Sequence, residues 1–347
     1  MLEDSIKVKT GNKRNSNIEL LRFILMIAIC VWHTYVHGFD YKNMSCNIIP
    51  GRNDLLFMEI CAPAVDTFIL ISGYYGIKFS YEKMSRYILL ALLISNLVYC
   101  IRLLFFGGSL SFYNQILPVS SGFNWWFLNA YIVIFLLSPI INLGIDQIEK
   151  KLFRNLLFAL FFIYFIVQYQ LGMGGANFTI MFLLYLLGRY LKLSKIKLSR
   201  LQSCSIYFFS LLLLYGIIMY YYYKKDYPSI WHLLNYNNPA IVLIAVSILY
   251  YVLSFERKPI SNISFFLGRH SLSIYLFSEI IGVVLYKYWA GLLNINTTYF
   301  LSSVILFSFL VECVDVFLHK VVVGVHSLIL RVFYFCIQCC HSSKNTN

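Results

Sequence analysis

The chain has 347 residues, of which 60% are hydrophobic and 12% charged, with a formal net charge of +13. A soluble domain is about half apolar and about a quarter charged, so this composition excludes a disordered chain, a coiled coil and nearly every soluble fold: too few polar residues remain to cover a water-facing surface. In a soluble protein the basic excess would point to nucleic acid, but here Lys and Arg fall between apolar runs, as in the cytoplasmic loops of a polytopic membrane protein, and no nucleic-acid partner is expected.

The chain opens with a polar, basic stretch over residues 1–17, carrying Lys7, Lys9, Lys13 and Arg14. The apolar run that follows is too long for a signal-peptide core and reads as a first transmembrane helix. A bilayer core of about 30 Å needs about 20 mostly apolar residues per helix. That rule predicts ten spans, near 18–39, 55–77, 87–106, 126–142, 153–171, 176–191, 205–223, 239–255, 272–290 and 299–318. The apolar segment 321–340 is interrupted by His326 and Arg331 and reads as an interfacial helix before the tail. The chain therefore divides into a basic N-terminal tail (1–17), a transmembrane domain (18–320) and an interfacial helix with C-terminal tail (321–347). The expected fold is an all-α polytopic membrane bundle of about ten helices. With the N-terminus inside, basic residues favour the inner segments by roughly four to one, which places both termini in the cytoplasm. The loop 107–125 is then outside and uncharged, suited to a neutral polar ligand. Cys30, Cys61, Cys100 and Cys313 sit in apolar segments, so no disulfide framework is expected.

Ionisable groups inside a membrane cost roughly 2.5–3.5 kcal/mol at a helix centre and usually face a bundle interior or a watery cavity. The first span holds Glu19, Arg22 and His33. Arg22 and His33 are close to three helical turns apart and share one face, separated by about 16 Å along the axis. Glu19, three residues before Arg22, is placed to pair with it. Two readings stand. Arg22 either snorkels to lipid headgroups or binds phosphate through its fork of donors. His33 is either a packed core residue or a general base. His37 follows His33 at i+4, but with no third ligand in sight no metal site is expected. The second span holds Glu59 and Asp66 on one face, with Pro63 between them expected to kink the helix. Ser72 and Gly73 form a small pair that permits close helix approach. Lys83 and Arg86 open the third span from the cytoplasmic side and would complete a basic mouth with Arg22. Glu279, Glu312, Asp315 and His319, further on, are further candidates that read as structural or as supports behind a site residue, with Asp315 and His319 spaced to pair.

In their order, these residues resemble the acyltransferase-3 family of integral membrane acyltransferases. Arg22 and His33 match its arginine, ten residues, then histidine pattern, preceded by Glu19-Leu20-Leu21. Val65, Asp66, Phe68, Ser72, Gly73 and Tyr74 match its Val-Asp-x-Phe-x-x-x-Ser-Gly-Phe motif, with tyrosine closing it. Lys83-Met84-Ser85-Arg86 is similar to its basic cluster, and Trp126-Phe127-Leu128, with Pro139 beyond, to its Trp-aromatic-Leu entry to a span. Gly268, Ser271, Ile274, Tyr275 and Leu276 are similar to its Gly-x-x-Ser-x-x-Ile-Tyr-Leu segment. Where many members continue with histidine, Ser278 and Glu279 stand here. The resemblance spans residues 15–320 or so.

The resemblance implies an enzyme that transfers an acyl group other than aminoacyl, most often acetyl, to a hydroxyl of a surface polysaccharide or lipid-linked glycan. Acetyl-CoA or another acyl-CoA is the implied co-substrate, with no bound cofactor. His33 is implied as catalytic and Arg22, Lys83 and Arg86 as donor-binding, with Glu19, Asp66, Ser72 and Trp126 in support. The implied setting is the cell membrane of a bacterium, beside polysaccharide-synthesis machinery. The rival reading is a non-enzymatic transporter or flippase for a glycan or polyprenyl-linked sugar. A neutral-glycan exporter, however, has no need of Arg22 in line with His33.

Overall fold

A computed structural model describes residues 15–106, 125–171, 178–256 and 262–344. Most of the basic N-terminal tail and nearly all of the loop 107–125 lie outside these residues. Helices dominate, and among the described residues no strand forms.

The first helix, α1 (Ser16–His33), starts where Asn15 accepts a hydrogen bond from the Asn17 N–H and so caps the helix. It continues into a single π-turn, Thr34–Gly38, immediately after His33. The second predicted span is divided at Pro63, as the sequence leads one to expect. One helix, α2 (Arg52–Cys61), ends before the proline and the next, α3 (Ala64–Tyr75), begins after it. Proline has no N–H to continue the ladder.

The chain then forms α4 (Tyr81–Phe106), α5 (Trp126–Gln147), α6 (Lys150–Leu171), α7 (Phe178–Ser194) and α8 (Arg200–Tyr223). Ser199 and Gln202 close a reciprocal capping box at the start of α8. The remaining helices are α9 (Tyr227–Leu233), α10 (Pro239–Leu253), α11 (Asn262–Arg269), α12 (Ser271–Ile281), α13 (Val283–Ile295) and α14 (Thr297–Lys344).

Five helical stretches are long and apolar enough to cross a bilayer: Ser16–Gly38, Arg52–Tyr75, Trp126–Gln147, Arg200–Tyr223 and Thr297–Leu328. They coincide with the first, second, fourth, seventh and tenth predicted spans. The ninth is a bent pair, α12 and α13, turned by 97°. By length and composition the described helices therefore give five or six crossings, against the ten expected from sequence. Helices form at the other four places as well. However, α7 and α10, with 17 and 15 residues, are shorter than the roughly 20 a straight crossing needs. A second difference concerns 321–340, where no break separates an interfacial helix: α14 runs unbroken for 48 residues.

The core sits around α1 and α3. Gly73 of α3 meets Gly188 of α7, where a Cβ on Gly188 would stand 2.9 Å from the Gly73 Cα. The close approach anticipated from the Ser72–Gly73 pair is thus made against α7. Tyr185, also on α7, ties this layer together. Its hydroxyl accepts from the Ile77 N–H at 3.2 Å and donates to Asn142 Oδ1 at 2.9 Å. Across the bundle α1 packs against α11, α12 and α3. The bend between α12 and α13 occurs at Gly282, with φ +57° and ψ −133°, a conformation in which a side chain is strained. The bend returns α13 onto the π-turn that follows His33.

Candidate active site

Helical spacing sets out the site along α1. Arg22, Met26, Ile29 and His33 are separated by four, three and four residues, so they form one stripe. Met26, Ile29 and His33 line a small cavity closed by Val65 of α3, Trp126 and Phe127 of α5, Tyr236 and Tyr275. The space it encloses is small, about 10 Å³, on the order of a single water molecule. Its walls are aliphatic and aromatic. Trp126 and Tyr236 face each other at 5.4 Å, and Phe127 meets the edge of Tyr275 at 5.5 Å.

His33 is the polar group that α1 contributes to this cavity, and its surroundings fix its orientation. Its Nδ1 lies 2.5 Å from Glu279 Oε1 and 3.1 Å from the Tyr286 hydroxyl. Tyr286 in turn donates to Glu279 Oε1 at 3.1 Å. With a carboxylate at Nδ1, a neutral imidazole carries its proton there and keeps a lone pair on Nε2. Nε2 has no hydrogen-bond partner among the described residues. This is the arrangement of a base held in one tautomer by an acidic neighbour. His37 packs its ring against both, 5.5 Å from His33 and 5.7 Å from Tyr286. Among the described residues no group of three or more His, Cys, Asp or Glu is placed to hold a metal.

Tyr286 carries no signal of its own in the sequence, and Glu279 reads there as a further candidate, structural or in support of a site residue. An intramembrane glutamate with a tyrosine seven residues on was the available signal. The intervening bend at Gly282 hid the connection, because the two residues lie on different helices.

At the other end of the stripe, Arg22 Nη1 contacts Glu19 Oε1 and Oε2 at 3.1 and 3.3 Å, so the pairing expected at i−3 is present. The Arg22 side chain is 25% exposed and that of Glu19 4%, leaving the guanidinium partly open with Nε and Nη2 unpartnered among the described residues. Glu19 is wedged against Gly268 of α11, where any Cβ would collide with its carboxylate. Lys83 is exposed, and Arg86 is held by Glu82 at 2.6 Å. No hydrogen bond or ion pair among the described residues joins either of them to Arg22.

Of the supporting residues, Trp126 is in the cavity wall. Asp66 is one residue from the wall, fully buried, with both carboxylate oxygens unpartnered. Ser72 donates to the Phe68 carbonyl of its own helix at 3.1 Å. A separate buried cluster lies across α11, α12 and α14. There Asp315 accepts from Ser273 at 2.6 Å and contacts His270, and the His319 ring is 6.3 Å from that of His270.

A family model described as an acyltransferase domain matches residues 15–314, which contain the α1 stripe, the cavity and Glu279. No curated protein and no solved structure matches the chain.

Proposed function

The chain belongs to the acyltransferase-3 family, and from that premise we propose that it is an integral membrane O-acyltransferase moving an acyl group, acetyl first, from cytoplasmic acyl-CoA to a hydroxyl of a surface polysaccharide or lipid-linked glycan. The observation that carries this reading is the His33 imidazole, tied at Nδ1 to Glu279 and free at Nε2, in the wall of a small cavity. Nε2 takes the proton of the acceptor hydroxyl as its oxygen attacks the thioester carbon. Glu279 stabilises the imidazolium so formed, and the proton passes to the departing sulfur.

The donor lies along the stripe. Arg22, at the end reached first from the N-terminus, binds the anionic part of acyl-CoA with its free guanidinium edge. The apolar Met26 and Ile29 line the way to His33. Lys83 and Arg86 extend the basic mouth, and both termini lie on this cytoplasmic side. The apolar lining of the cavity suits a short acyl group, whose entry requires the walls to move apart, and its Trp126–Tyr236 pair offers aromatic surface for a sugar ring. The membrane in question is the cell membrane, where polysaccharide is assembled.

The test is the His33→Gln variant, which keeps a polar side chain but cannot take the proton. Purified and monodisperse, it is expected to lose about 10²–10⁴-fold in transfer rate, read as radiolabel passing from acetyl-CoA to a polysaccharide extract. Activity within a few-fold of the wild type would show that His33 is a core residue.

A further inference from the structure

Transfer from a thioester needs more than a base. Negative charge builds on the carbonyl oxygen, and a preorganised donor at that point is usually a large part of catalysis. Among the groups in the cavity wall, Tyr275 meets the requirement. It is 3% exposed, lines the same cavity as His33, and its hydroxyl is buried, with no acceptor for its proton among the described residues. A buried hydroxyl left unpaired costs stability, so its retention calls for a partner that arrives with the substrate. The second observation is the helix end beside it. Tyr275 packs on Phe127 in the first turn of α5, with the Phe127 backbone amide next to its oxygen. That 22-residue helix starts at Trp126 without a side-chain cap. Its first N–H groups have no acceptor within the helix, and its positive dipole end faces the same place.

We propose that the Tyr275 hydroxyl, at the first turn of α5, receives the oxyanion of the transfer reaction. The proposal rests on the acyltransferase reading above and adds a catalytic residue to it. As the acceptor oxygen bonds to the acyl carbon and its proton moves to His33 Nε2, the carbonyl π pair moves onto oxygen, where the Tyr275 O–H donates to it. When the intermediate collapses, the C=O re-forms, the C–S bond breaks, and the thiolate takes the proton from His33.

The experiment uses the full chain, purified, with radiolabelled acetyl-CoA and a polysaccharide extract as acceptor. Tyr275→Phe is expected to lower kcat by about 10²–10³-fold and to leave KM for acetyl-CoA within about threefold. Because the hydroxyl proton has no acceptor among the described residues, the thermal midpoint of the variant should equal or exceed that of the wild type. Tyr250→Phe is the matched control, removing another buried hydroxyl without a partner on α10, outside the cavity; it should keep wild-type kcat. A Tyr275→Phe kcat within threefold of wild type, a loss shared equally by Tyr250→Phe, or a fall in the thermal midpoint overturns the assignment. An inactive wild-type protein overturns the acyltransferase reading together with it, whereas an active wild type beside an equally active Tyr275→Phe overturns the oxyanion assignment alone.

Discussion

Glu279 decides how His33 behaves, because a neutral imidazole accepts at whichever nitrogen its neighbour leaves bare. Glu279→Gln keeps the size and removes the charge. The amide can present an N–H to Nδ1, favouring the tautomer with its proton on Nε2, and it no longer stabilises the imidazolium. We expect kcat to fall by at least about 10²-fold with little change in KM for acetyl-CoA; a near-normal kcat would reduce Glu279 to a packing role. At the other end of the stripe the argument turns on shape. Arg22→Lys keeps the charge but loses the planar fork, partly exposed beside Glu19, so KM for acetyl-CoA should rise by about tenfold, equivalent to about 1.4 kcal/mol. An unchanged KM would place phosphate binding elsewhere. The two ends of this stripe were legible in the sequence, because Glu19, Arg22 and His33 are on one helix and helical periodicity is local. Glu279, Tyr286 and Tyr275 were not legible as partners, since each reaches the cavity only through packing of the distant α12 and α13 on α1. Where the family resemblance led one to look for a histidine, the acid at 279 supports a histidine on another helix.

Among the elements, the bent pair α12–α13 matters most. A sequence rule that counts apolar residues registers 272–290 as one span, because it has no term for the direction of the chain. Gly282 supplies that direction. At φ +57° and ψ −133° a Cβ would be strained by roughly 1–3 kcal/mol, and relief would come from swinging α13 and Tyr286 away from His33. Gly282→Ala is therefore expected to lower the thermal midpoint by several degrees and to reduce transfer together with it. A variant with wild-type midpoint and rate would show that the 97° bend is not required by the active site. The shortness of α7 was legible, since the apolar run 176–191 is itself short of a straight crossing and α7 has 17 residues. The helix α10 ends at Leu253, two residues before the expected limit at 255, with Ser254 as its C-cap. Pro63 acts through its own missing N–H, and so the break between α2 and α3 was predictable from one residue.

For the molecule as a whole, every functional assignment depends on which side each end of α1 faces. The proposed orientation, with the Arg22 end in the cytoplasm, rests on the charge asymmetry of the sequence, and α8 offers a clean test of it. Its 24 residues extend about 36 Å, enough for the roughly 30 Å hydrocarbon core. The charge pattern assigns Lys195, Lys197 and Arg200 before it to the inside and Lys224 and Lys225 after it to the outside. Lys197 and Lys225 are both exposed, so each can be replaced by cysteine in a cysteine-free background without disturbing the bundle. A membrane-impermeant maleimide should modify Lys225→Cys in intact cells and Lys197→Cys only after permeabilisation. The reverse pattern would put Arg22 on the outer side, away from cytoplasmic acyl-CoA, and the donor assignment would fail even with the His33–Glu279 pair intact. Labelling of both positions from outside would show that α8 does not cross the bilayer. Its broad apolar surface, with Phe208, Phe209, Leu212 and Leu213 exposed, would then need a cover other than lipid. The expected pattern fixes α8 as a crossing from inside to outside, and with it the side from which a CoA thioester reaches the stripe that leads to His33.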